Sequence, residues 1–265
     1  MNPAPIGIFD SGLGGLTVAR AIFERLPHES TIYFGDTARV PYGPKSPETV
    51  RRYSLEILSW LLDQGVKAVV IACNTSTAHA LEALRENSPV PVIGVIEPGA
   101  RAAIAGSRGR VGVIGTAGTI ASGAYRKAIH ARAPEFEVLE RACPLFVPLV
   151  EEGWFDHPAA RIIAAEYLRP LREAEVDALV LGCTHYPLLK PLLQEEMGSG
   201  VRLIDSAAET ARVLEEVLGR HAIAGGKDAA STHRFVVSDD EARFRTVGAR
   251  FIGERLSGAE VVPLG

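Results

Sequence analysis

Eight short apolar runs constrain this chain more than any other feature. "PIGIFD", "STIYFGD", "KAVVIAC", "VPVIGVI", "GRVGVIG", "FEVLERAC", "DALVLGC" and "VRLIDS" are each followed by a Gly or small polar turn. They are too short for helices and do not alternate apolar with polar residues, which is the pattern of strands buried on both faces of a parallel sheet. The segments between them follow a helical period, as in "SPETVRRYSLEILSWLLDQG", where Leu55, Leu58, Leu61 and Leu62 fall on one stripe. Strand and helix in alternation predict an α/β fold.

The pattern also repeats at larger scale. "GIFDSGLGGLTVARAIFERL" and "GVIGTAGTIASGAYRKAI" both read strand, Gly-rich turn, helix, and each precedes a strand that ends in cysteine, at Cys73 and Cys183. We therefore expect two similar domains, each a mostly parallel sheet flanked by helices, with strand ends facing a shared cleft. The first domain is predicted to comprise residues 1–97 plus 208–265, and the second 98–207. The chain is expected to cross near "VIEPGARAAI" and return near "LIDSAAETARVL", and the tail from His233 should add a strand and an amphipathic helix to the first half. Residues 221–233, "HAIAGGKDAASTH", read as a flexible connector.

Composition narrows the function. The 265 residues carry a net charge of −4, with no basic run for nucleic acid or a membrane surface, so a small partner is expected. No apolar stretch is long enough to span a bilayer, and the start lacks the pattern of a signal peptide. Three cysteines, an odd number, do not make a disulfide framework, and the compartment reads as cytoplasm.

Cys73 and Cys183 stand at matching positions, 183 − 73 = 110 residues apart. An ordinary thiol is mostly protonated at neutral pH, and a helix amino terminus helps its anion. Asn74 and Thr75 after the first cysteine, and Thr184 after the second, are cap-type residues expected to begin such helices. Cys143, in "ERACPLFVPLV", lacks both the neighbours and the counterpart and reads as core. There is no closely spaced ligand set for zinc and no C-x-x-C redox motif. Paired thiols then favour proton transfer on two faces of one carbon. Reversible disulfide exchange is the alternative, and the Gly-rich turns only weakly suggest nucleotide binding.

In order along nearly the whole chain, "IFDSGLGGLTV", "YFGDTARVPYGPKS", "ACNTST", "VGVIGTAGTI", "PLVEEG" and "LGCTHYP" resemble the motifs of the cofactor-independent glutamate racemases. The resemblance implies an isomerase interconverting L-glutamate and D-glutamate without metal or cofactor, supplying D-glutamate for peptidoglycan, and a homodimer. It matches Cys73 and Cys183 to two catalytic thiols: Cys73 as base toward D-glutamate, Cys183 as base toward L-glutamate. It places Asp10 beside the first thiol, and Glu151 and His185 beside the second. Substrate binding falls to Asp10, Ser11, Tyr42, Gly43, Asn74, Thr75, Thr116, Thr184 and His185. Blander roles exist for several of these: a turn cap for Asp10, a helix terminus for His185, a solvated surface for Glu151. Gly12, Gly14 and Gly15 lack dinucleotide-motif spacing and are expected to allow close backbone approach.

Overall fold

In the computed structural model, which describes residues 2–226, 230–256 and 258–264, two parallel sheets are flanked by helices. In chain order the elements are β1 (Ile6–Asp10), α1 (Leu16–Arg25), β2 (Thr31–Gly35), α2 (Pro47–Asp63), β3 (Ala68–Ile71), α3 (Asn74–Glu86), β4 (Val92–Gly94), α4 (Ile96–Gly106), β5 (Arg110–Gly115), α5 (Ala117–Ser122) and α6 (Ala124–His130). They continue with β6 (Glu137–Ala142), α7 (Phe146–Glu151), α8 (Pro158–Glu173), β7 (Ala178–Gly182), α9 (Lys190–Met197), β8 (Arg202–Ile204), α10 (Ala207–Arg220), β9 (His233–Val237), α11 (Glu241–Ile252) and β10 (Glu260–Val261).

The first sheet has the order β10-β9-β2-β1-β3-β4 and the second β6-β5-β7-β8, with every pairing parallel. The core orders β2-β1-β3-β4 and β6-β5-β7-β8 are the same topology, so the repeat in sequence is a repeat in architecture. Strands β1, β3 and β7 are buried along their whole length, which is why their sequences are apolar without alternation. The tail joins the first sheet: β9 pairs with β2, and β10 with β9.

Strand order reverses between β1 and β3 in one sheet and between β5 and β7 in the other. At such a switch the two outgoing chains leave in opposite directions and open a crevice at the carboxyl ends. Asp10 ends β1 and Cys73 follows β3; Thr116 follows β5 and Cys183 follows β7. The duplicated fold thus puts one cysteine at each of two equivalent switch points.

Helix α2 starts at Ser46, whose Oγ accepts from the Thr49 amide at 3.3 Å, with Pro47 in the first turn. Its buried stripe runs through Val50, Ser54, Ile57, Leu58 and Leu61, while Leu55 and Leu62 lie at its margin, half-buried. The connector predicted over residues 221–233 includes residues 227–229, which lie outside the described ones. Its described flanks are tied down: the Gly225 amide donates to Glu29 Oε1 at 2.6 Å, and Glu29 pairs with buried Lys67 at 2.6 Å. Among the described residues no helix is long and apolar enough to cross a membrane.

Leu61 lies over bare Gly7 of β1, where a Cβ would stand 3.2 Å from its methyl carbons. Leu61→Ala is expected to cost about 2–5 kcal/mol in urea unfolding, and Leu55→Ala less than half as much. Equal losses at the two positions would contradict this placement of the helix.

Candidate active site

Between the two sets of strand ends lies a narrow cavity of about 30 Å³. Of the predicted site residues, Ser11, Tyr42, Gly43, Cys73, Asn74, Thr75, Thr116, Cys183, Thr184 and His185 line it. Asp10 sits beneath it, fully buried, and Glu151 lines an adjoining cavity of about 370 Å³. Val40, Pro41 and Val147 complete the wall. They escape sequence reasoning because apolar lining residues carry no chemical signature.

The Cys73 arm is built on a helix start. Cys73 is itself the N-cap of α3, its Sγ accepting from the Ser76 amide at 3.4 Å, with Ser11 Oγ at 3.7 Å. This corrects the expectation that Asn74 and Thr75 cap the helix. They are its first two residues, which frees their side chains for the cavity. Asn74 Oδ1 accepts from the buried Tyr125 hydroxyl at 2.7 Å, and Thr75 Oγ1 lies 2.9 Å from Thr116 Oγ1. Tyr42 donates to the buried carboxylate of Asp36, which also accepts from Arg39 at 2.7 Å and Ser238 at 2.8 Å.

The Cys183 arm differs. The chain beyond it forms a short 3₁₀ turn, Tyr186–Leu189, with no side-chain cap. That turn runs directly into α9 at Lys190, so the expected helix begins as 3₁₀, and Thr184, which does not cap it, donates to Asp10 Oδ1 at 3.4 Å. A hydrogen-bonded chain serves this thiol instead. Cys183 Sγ lies 3.9 Å from His185 Nδ1, and His185 Nε2 lies 3.1 Å from Glu151 Oε1. Glu151 Oε2 in turn accepts from Arg243 at 3.1 Å. His185 stands at the N-cap of the 3₁₀ turn without a side-chain cap bond, its ring committed to Cys183 and Glu151, and Glu151 is a paired carboxylate rather than a solvated one.

The Gly-rich turn permits this closeness. A Cβ on Gly14 would lie 2.2 Å from Thr184 Oγ1 and 2.4 Å from His185 Nδ1, and one on Gly15 2.5 Å from the Cβ of Asp10. No side chain fits at either point. Asp10 Oδ2 also accepts from the Gly12 amide at 3.0 Å, so Asp10 both shapes the turn and reaches the second cysteine motif.

Charge states follow from these surroundings. Burial pushes the Cys73 thiol up to about 11, helped by the nearby Asp10 charge, against the pull of Ser76 and Ser11. The helix amino terminus does not outweigh desolvation, so Cys73 is a thiol at neutral pH. Burial also works against a charge on His185, yet its bonds to Cys183 and Glu151 raise it to about 10 and keep the ring protonated. Burial raises the Glu151 carboxyl, but His185 and Arg243 more than offset this and hold it below the usual range. Desolvation raises Asp10, against the His185 charge and the hydrogen bonds from Gly12, Gly15 and Thr184. Cys143 is wholly buried in the core with its thiol raised by burial, as predicted.

Comparison with known proteins identifies the family. Residues 10–214 match the Asp/Glu/hydantoin racemase family. A glutamate racemase from Geobacter metallireducens is 58% identical over 98% of this chain and 96% of its own. The chain belongs to the glutamate racemase family. It is therefore an amino-acid racemase, an isomerase. Among solved structures, a glutamate racemase isoform from Bacillus anthracis superposes with a TM-score of 0.94 at 41% identity, covering 100% of this chain and 98% of its own. One from Francisella tularensis, solved with D-glutamate, has a TM-score of 0.92 at 38% identity and covers 99% and 98%. The two-sheet architecture is thus that of the family.

The burial of Cys73 has a direct readout. Its alkylation by iodoacetamide should climb about tenfold per pH unit and keep rising beyond pH 9, followed by peptide mass mapping. A plateau near the ordinary thiol value would show that the helix start, and not burial, governs this sulfur.

Proposed function

We propose that Cys73 and Cys183 are the two acid/base groups of a cofactor-independent racemisation of glutamate. The observation that carries this reading is that both thiols line one cavity at equivalent strand ends. A sulfur on each side matches a reaction that removes a proton from one face of a carbon and delivers one to the other. With L-glutamate, Cys183 takes the α-proton as its C–H bond breaks, and the Cys73 thiol gives its own proton to the opposite face, forming the D-enantiomer. With D-glutamate the roles reverse, and Cys73 acts as base.

Each arm has a means of managing its proton. His185, held protonated, stands between Cys183 and Glu151, while burial and the Asp10 charge keep Cys73 in the thiol form. Hydroxyl and amide donors from Ser11, Asn74, Thr75, Thr116 and Thr184, with the Tyr42–Gly43 turn, hold the substrate carboxylates without an arginine. The Tyr125 hydroxyl takes up Asn74 Oδ1 and so leaves the amide NH₂ to face the substrate. The cavity is narrow, and in this reading the two sheets' strand ends part to admit glutamate.

This motion gives the domain division its sense. We assign residues 1–97 plus 208–265 to one moving unit and 98–207 to the other, a division supported by strand membership, since no strand of either sheet falls in the other segment. The family resemblance further supports a cytoplasmic homodimer that supplies D-glutamate to peptidoglycan; rescue of a D-glutamate auxotroph and sedimentation velocity test these two points.

The mechanism is tested by incubating the enzyme with either enantiomer in deuterium oxide. The wild type should exchange the α-proton and racemise both, while Cys73→Ser and Cys183→Ser should each lose racemisation by about 10²-fold or more. Full two-way turnover in both variants would eliminate the two-thiol mechanism, and faster turnover of L-aspartate than of L-glutamate would reassign the substrate.

A further inference from the structure

We infer that Arg243 is a positioning residue for catalysis, reaching from α11 to aim the Glu151 carboxylate at His185. This rests on the assignment of Cys183, His185 and Glu151 to the second acid/base arm.

Glu151 ends the short helix α7, beyond the strands of the second sheet, and nothing in its own helix fixes its rotamer. Both of its oxygens are nevertheless committed. Oε1 meets His185 Nε2 at 3.1 Å, and Oε2 accepts from Arg243 Nη2 at 3.1 Å. A carboxylate held at both oxygens cannot rotate without breaking one bond, so the arginine determines where the other oxygen points. Arg243 also lies 3.9 Å from Glu152, a weaker contact on the solvent side.

Helix α11 supplies more than this one contact. Arg250, two turns further on, donates to the Glu151 carbonyl at 2.6 Å and to the Val150 carbonyl at 3.4 Å, closing the carboxyl end of α7. Phe251 sets its ring edge-on to His185, with centroids 5.6 Å apart. The spacing of 243 and 250 puts both arginines on one face of the helix. That face backs the whole His185–Glu151 arm. The helix is anchored at its start, where the Asp240 side chain accepts from the Arg243 amide at 2.9 Å. Gly153, at φ +76 and against the Arg250 guanidinium, leaves room for the clamp.

The contact joins the two halves of the fold. α11 packs on α1 beside the first sheet, whereas α7 follows β6 of the second. When the strand ends part to admit substrate, the Arg243–Glu151 bond is at risk, and when they close it re-forms. Glu151 is then aimed at His185 only in the closed site, where the proton moves. Because the Arg243 side chain is half-exposed, the effect is moderate.

Steady-state kinetics of the full-length enzyme in both directions provide the test. Arg243→Gln is expected to lower kcat about fivefold with KM little changed, since Arg243 does not line the substrate cavity. Arg243→Lys should recover most of the loss. In a Glu151→Gln background the same Arg243→Gln change should have almost no further effect, because its path runs through that carboxylate. An unchanged kcat in Arg243→Gln, or an undiminished fivefold loss on top of Glu151→Gln, would overturn the inference. A rise in KM at constant kcat would do so too. Failure of the wild type to racemise glutamate would instead overturn the assignment of the arm itself.

Discussion

A buried carboxylate joins the two halves of this molecule. Asp10 ends the central strand of the first sheet, is fully buried, and accepts from Thr184 of the second cysteine motif at 3.4 Å. Burying a carboxylate carries a large desolvation penalty unless hydrogen bonds and a counter-charge offset it. Gly12, Gly15 and Thr184 supply the bonds, and protonated His185 the charge. The contact forms only because Gly14 has no side chain where Thr184 and His185 approach. The Gly-rich turn of one half and the cysteine motif of the other thus meet at one carboxylate.

Topological symmetry does not extend to electrostatics. Cys73 and Cys183 follow equivalent strands, but one caps a helix and the other faces an imidazole. The first is held as a thiol by burial, and the second stands beside a ring kept protonated by Glu151. In the proposed mechanism one thiol acts as base while the other acts as acid.

Much of this was legible in the sequence, for identifiable reasons. Strands buried on both faces must be apolar throughout, so β1, β3 and β7 announce themselves, and the repeat of strand, glycine turn and cysteine reveals the paired topology. The capping role of Cys73 was not legible, because sulfur is not among the usual cap acceptors and Asn74 and Thr75 are. Nor was the 3₁₀ turn after Cys183, which a proline and a run of leucines do not distinguish from a helix start. Arg243 and Tyr125 stand far along the chain from the groups they hold, and only the fold brings them there. Glu151 was identified by its motif, but its place behind the cavity rather than in it depends on the direction of α7.

Central to the account is a protonated His185 beside Cys183. The most direct measurement is the ¹⁵N NMR spectrum of the ring, assigned with His185→Gln and followed with pH in the unliganded enzyme. The account requires both ring nitrogens to carry protons at pH 8, with titration only near pH 10. A neutral imidazole tautomer at pH 8 would contradict it.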